Sequence, residues 1–231
     1  MSTLTVNDLR FAVRRSARRR ALEIVVDRSG ELILAAPTEA SDAALRDFVQ
    51  RKRMWIYKQL ALKESPKRQA PRKVFTDGEG FAYLGRNYRL RLVPESDAAV
   101  KLQNGRFVMP KAMAREGREH LIRWYCEHAR PWLWDKVQDY ADRMEVKPAR
   151  VRVQDLGYRW GSCGKGDLLY FHWKTILLPP HIAEYVVVHE MAHLHERHHT
   201  PQFWRHVERT MPDFELRTAW LSQHGMNVEG L

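Results

Sequence analysis

The sequence predicts an α+β fold in two parts: a basic, mainly antiparallel β part with one helix over residues 1–110, and a helix-rich part with a short sheet over residues 111–231. Three observations predict it. Up to about residue 110, short apolar runs alternate with turns that contain Gly or Asn. From Ala114 the apolar residues recur at helical spacing instead. Finally, His189-Glu190-Met191-Ala192-His193, with His199 six residues further on, is a pattern whose chemistry works on a helix and fails on a strand.

With 231 residues, 44% of them hydrophobic and 10% aromatic, the chain can bury one substantial core or two modest ones. No apolar run of signal-peptide length follows Met1, and no stretch reaches about eighteen consecutive apolar residues. The expectation is a cytoplasmic protein with no membrane segment. Two cysteines, Cys126 and Cys163, are too few for a disulfide scaffold and read as reduced thiols. Charge is uneven: residues 1–73 hold 17 Lys and Arg against 8 Asp and Glu, a net +9 of the chain's formal +11. Such a field concentrates polyanions, so nucleic acid is a candidate partner of the N-terminal part; the alternative is a solvated face that keeps the protein soluble.

In chain order, Phe11-Ala12-Val13 and the basic Arg14-Arg15 and Arg18-Arg19-Arg20 precede two β-rich runs, Leu22–Val26 and Glu31–Ala36. These are separated by Asp27-Arg28-Ser29-Gly30 and read as an antiparallel hairpin. Ser41 reads as the N-cap of a helix running to about Glu64, with Ala44, Leu45, Phe48, Val49, Trp55, Ile56 and Leu60 inward and Arg51-Lys52-Arg53 outward. Pro66 to Arg72 reads as a linker or exposed loop. Further strands follow around Phe81–Leu84 and Tyr88–Val93, and a hairpin turns at Asn104-Gly105.

The long helical pattern from Ala114 to about Glu145 carries Leu121, Trp124, Tyr125, Leu133 and Val137 on its core side, and Pro131 is expected to kink or split it. Arg150–Val153 and Leu168–Phe171 read as strands. The three glycines from Gly157 to Gly164 point to bends or close backbone approach, and a strand edge here could bind an extended peptide by main-chain hydrogen bonds.

Pro179-Pro180 leads into the helix of the His-Glu pattern. Four residues apart on a helix, His189 and His193 can converge on one cation with Glu190 beside them; on a strand they would stand about 13 Å apart. The run Val186-Val187-Val188 favours strand by propensity, so packing must override it. A straight continuation would carry His199 about 9 Å along the axis beyond His193, out of reach of zinc with bonds of about 2.1 Å. The helix must therefore break before His199, and Thr200-Pro201 reads as the N-cap and first residue of the next helix, with Phe203, Trp204 and Val207 inward. No glycine serves the break; His198 is a residue type that tolerates a positive φ, though less readily than glycine. His195 and His198 compete with His199 for the third ligand place, and Glu208 is a carboxylate alternative; spacing favours His199. The metal set is then His189, His193 and His199 with Zn2+ as cofactor, and Glu190 as the general base.

Three ordered segments resemble the YgjP-like zinc-dependent metallopeptidases, related to the WLM and SprT families: Arg159-Trp160-Gly161-Ser162-Cys163, then Tyr185-Val186-Val187-Val188-His189-Glu190-Met191-Ala192-His193-Leu194, then His198-His199-Thr200-Pro201-Gln202-Phe203-Trp204. Met211-Pro212-Asp213-Phe214 and Leu84-Gly85-Arg86 with Tyr88 extend the likeness. It implies a zincin-like catalytic part with zinc on His189, His193 and His199 and Glu190 as general base. One departure is His172-Trp173, where the family usually has asparagine before the tryptophan.

The expected activity is zinc-dependent hydrolysis of a peptide bond in a protein or peptide substrate, with Glu190 accepting the proton of the attacking water and passing it to the leaving amine. Tyr158, Tyr185, His198 and Arg159 are open candidates for stabilising the oxyanion. Two other readings are a nucleic-acid-associated protein with a structural metal and a hydrolase of a non-peptide substrate.

Overall fold

A computed structural model describes residues 2–26, 31–63, 73–157, 159–228 and 231. The turn at 27–30 and the linker at 66–72 lie outside the described residues, as does Tyr158. The fold is α+β and contains two compact units, residues 1–69 and 70–231. The second sheet, which the sequence pattern grouped with the N-terminal part, shares its apolar core with the long helix that follows it.

In the first unit, β1 (Ser2–Val6) and β2 (Leu9–Arg15) form a hairpin whose turn holds Asn7 at φ 54°. The expected hairpin of β3 (Glu23–Val26) and β4 (Leu32–Ala36) is present, with Ile24 opposite Leu34. The two hairpins join through a parallel pair, Phe11 opposite Leu32, giving the order β1-β2-β4-β3. Helix α1 (Asp42–Lys63) starts where Ser41 Oγ accepts the Ala44 N–H at 3.2 Å. Leu45, Val49 and Ile56 seal its inner stripe against Leu4, Phe11 and Leu34. Ala44 and Trp55, read from spacing as inward, are exposed, Trp55 by 44%. The buried stripe is narrow, and Trp55 sits about 100° round the helix from Ile56.

The second unit opens with the same topology. Strands β5 (Gly80–Tyr83), β6 (Arg86–Val93), β7 (Lys101–Gln103) and β8 (Arg106–Pro110) pair in the order β5-β6-β8-β7, again two antiparallel pairs about a parallel centre. After a 3-10 turn over Lys111–Glu116, helix α2 (Gly117–Met144) runs unbroken through Pro131. Pro131 does not split it: Tyr125 and Ala129 before and Leu133 and Val137 after are fully buried, and their packing outweighs the one lost hydrogen bond. The α2 aromatics belong to the core: Trp124 and Tyr125 meet Phe107 edge-on, and the Tyr125 hydroxyl donates to the Ala82 carbonyl at 2.7 Å.

A three-stranded sheet follows in the order β10-β11-β9, from β9 (Arg150–Gln154), β10 (Gly161–Cys163) and β11 (Leu168–His172). β9 is parallel to β11 and β10 antiparallel to it. A 3-10 turn over Trp173–Leu177 leads to α3 (Pro180–Ala192), α4 (Pro201–Thr210) and α5 (Phe214–His224). The β5–β6 turn fixes the start of α3. Leu84 N–H donates to Ile176 carbonyl at 2.8 Å and Gly85 N–H to Leu177 carbonyl at 3.2 Å. A Cβ on Gly85 would stand 2.7 Å from Pro179 Cα, so only glycine allows this approach. Val186, Val187, Val188, Met191 and Ala192 are all buried, which holds the valine run helical against its propensity. Among the described residues no helix is long and apolar enough to cross a membrane.

Candidate metal centre

The last turn of α3 presents His189, while His193 caps it. The chain then leaves the helix: Leu194 N–H donates to Met191 carbonyl, and His195 and Glu196 N–H groups to Ala192 carbonyl. Glu196 Oε1 accepts the His198 N–H at 3.2 Å, and Thr200 Oγ1 accepts the Phe203 N–H at 3.3 Å to start α4. His198 does not take a left-handed φ; among the described residues no positive φ occurs in this break, so hydrogen bonds alone shape the turn.

The turn brings His199 back onto α3. One ring nitrogen from each of His189, His193 and His199 lies within 4.8 Å of the others, the one such cluster of three among the described residues. The Nε2 atoms of His189 and His199 are 3.0 Å apart. Phe203, fully buried, touches all three imidazoles with ring centroids 4.5 to 5.0 Å away, and Trp204 stacks on His199. His195 and His198 do not join them. His195 Nε2 instead donates to the Met144 carbonyl at 2.7 Å, satisfying an acceptor at the end of α2, and its ring stacks on His206. Glu208 is exposed on α4.

Sequence reasoning did not identify the groups that orient these rings. The Glu196 carbonyl lies 3.0 Å from His193 Nδ1, which turns the other nitrogen toward the cluster. Tyr185 hydroxyl stands 3.5 Å from His189 Nδ1, so this candidate oxyanion donor faces the back of a histidine. Its spacing, four residues before His189, is the signal that could have placed it there.

Glu190 is only 7% exposed. It lies against β10 because Gly161 has no side chain: a Cβ there would come within 2.5 Å of Glu190 Cγ and 2.6 Å of Oε1. Burial pushes its carboxyl up to about 8, opposed by Arg159 and the Cys163 backbone N–H. Burial first, and then the neighbouring His199 and His193, push His189 down to about 3; burial also lowers His193. His172 is buried, its Nδ1 accepting the Lys174 N–H at 3.0 Å and its Nε2 3.3 Å from Asp155 Oδ1.

These residues fit a divalent metal of the zinc type. The donors are all imidazole nitrogens, two of the rings are held unprotonated, and their outer nitrogens already have oxygen neighbours. The fold and the cluster together define a site where three imidazoles can share one divalent metal, with the buried Glu190 next in the chain to His189. The chain belongs to the YgjP-like family, whose metallopeptidase domain matches residues 20–224. Among solved structures, the metallopeptidase zymogen of Pyrococcus abyssi abylysin is similar at 23% identity with a TM-score of 0.35, over 37% of this chain and 90% of that one. No curated protein matches the chain.

Proposed function

We propose that the protein is a zinc-dependent peptidase in which His189, His193 and His199 hold the metal and Glu190 is the general base. The observation that carries this is the convergence of three imidazole nitrogens within 4.8 Å, with the nearly sealed Glu190 next in the chain to His189. Zinc bound there would supply a Lewis acid and make water a nucleophile near neutral pH. With a dication bound, the Glu190 carboxyl would be drawn down from about 8, and the ionised carboxylate then takes the proton from the attacking water and hands it to the departing amine. β10 supports a peptide substrate. It is an edge strand, and an open strand edge can pair with an extended chain by main-chain hydrogen bonds. The free thiols of Cys126 and Cys163 support a reducing compartment, the cytoplasm.

The test is metal removal. Dialysis against a chelator is expected to abolish casein hydrolysis, and one equivalent of zinc to restore it; hydrolysis that persists without metal rejects the proposal. Gly161→Ala probes the glutamate's seat. The added methyl must displace a buried carboxyl by about an ångström, so hydrolysis is expected to fall about 100-fold with zinc content unchanged. Steady-state rates and metal stoichiometry on the same sample read both effects.

A further inference from the structure

The outer face of α1 carries a feature that the hydrolase reading does not use. Among the described residues four large hydrophobic side chains are exposed, and two of them, Met54 at 79% and Trp55 at 44%, are neighbours on this helix. They follow directly on Arg51, Lys52 and Arg53, all exposed. On a helix, residues three and four apart share a flank, so Lys52 and Arg51 stand beside the Trp55 indole. Arg51 pairs with Asp47 at 2.9 Å, but both side chains are about two-thirds exposed, and such a pair yields readily to a phosphate. Arg53, two residues from Trp55, lies on the other flank, over the Tyr57 ring at 5.6 Å.

We propose that this face of α1 binds single-stranded nucleic acid, with Trp55 stacking on an unpaired base and Arg51 and Lys52 holding the backbone phosphates. Charge complementarity selects a polyanion: residues 1–73 carry 17 basic against 8 acidic side chains. The indole selects a strand with open base faces, because a duplex hides them and a basic groove with an aromatic platform is the means by which unpaired strands are held. A membrane surface fits less well. An interfacial helix must offer its apolar stripe to lipid, whereas Leu45, Val49 and Ile56 are spent on the protein's own sheet. Two side chains are also too little apolar surface for a stable protein partner.

The experiment is fluorescence anisotropy of a labelled oligothymidylate of about 20 nucleotides titrated with the full chain at several salt concentrations. Binding is expected, and Trp55→Ala should weaken it about 10-fold or more at fixed salt, while Trp55→Phe, which keeps a ring, retains most of it. Arg51→Gln with Lys52→Gln should lower the slope of log affinity against log salt by about 1.4. All these side chains are exposed, so circular dichroism should be unchanged. Casein hydrolysis should be unchanged as well, which separates failure here from failure of the hydrolase proposal. Wild-type affinity in Trp55→Ala overturns the inference, as does equal affinity for a duplex of the same length. Trp55-dependent binding to phosphatidylserine vesicles without binding to the oligonucleotide overturns it in favour of a membrane surface.

Discussion

Glu190→Gln is expected to lower hydrolysis by about 10²- to 10⁴-fold while zinc content stays at the wild-type level. The amide keeps the size of the carboxyl, so the close seat against Gly161 is preserved and the three histidines are untouched. What is lost is the ability to take up a proton. The carboxyl has little solvent to help it, being 7% exposed, so no neighbouring water can substitute cheaply. Rates on casein and metal analysis of the same preparations decide it. A variant that cleaves as well as the parent removes Glu190 from the mechanism; a variant that has lost its metal shows the carboxyl to be structural.

His199→Ala should cost more than either rival histidine. It removes one of three converging nitrogens, and changes even to the groups that orient metal ligands cost about 10- to 100-fold in affinity, so a loss of at least about 100-fold in zinc affinity is expected, with hydrolysis falling alongside. His198→Ala should retain both. His195→Ala should retain the metal too, although it leaves the Met144 carbonyl without its donor. Competition with a fluorescent zinc chelator reads all three. Equal zinc affinity in His199→Ala and the parent would move the third ligand elsewhere.

The parts of this molecule that were legible in the sequence are those that local spacing dictates. A two-histidine pattern has one geometry on a helix, the reach of a metal bond forbids a straight run to His199, and Thr200-Pro201 announces the next helix; α3 and α4 follow those rules, with Thr200 Oγ1 on the Phe203 N–H. The β3–β4 hairpin and the Ser41 cap were legible for the same reason. Strand order was not. Nothing in a five-residue apolar run tells whether its neighbour will be parallel, so the parallel centres of both four-stranded sheets, and β1 before them, had no local signal. Pro131 is a local signal for a break, and four fully buried side chains around it overrule that signal. Trp55 lies outside the buried stripe because helical spacing defines a face but not its width. The seat of Glu190 against Gly161 joins residues 29 positions apart, a contact that the glycines hinted at but could not assign.

The most direct measurement is anomalous scattering at the zinc edge from crystals of the zinc-loaded chain. A single peak is predicted at bonding distance, about 2.1 Å, from one nitrogen of each of His189, His193 and His199, with Glu190 beside the ion and not bonded to it. A peak at another place, or one whose remaining position is closed by a fourth side chain, would contradict the account.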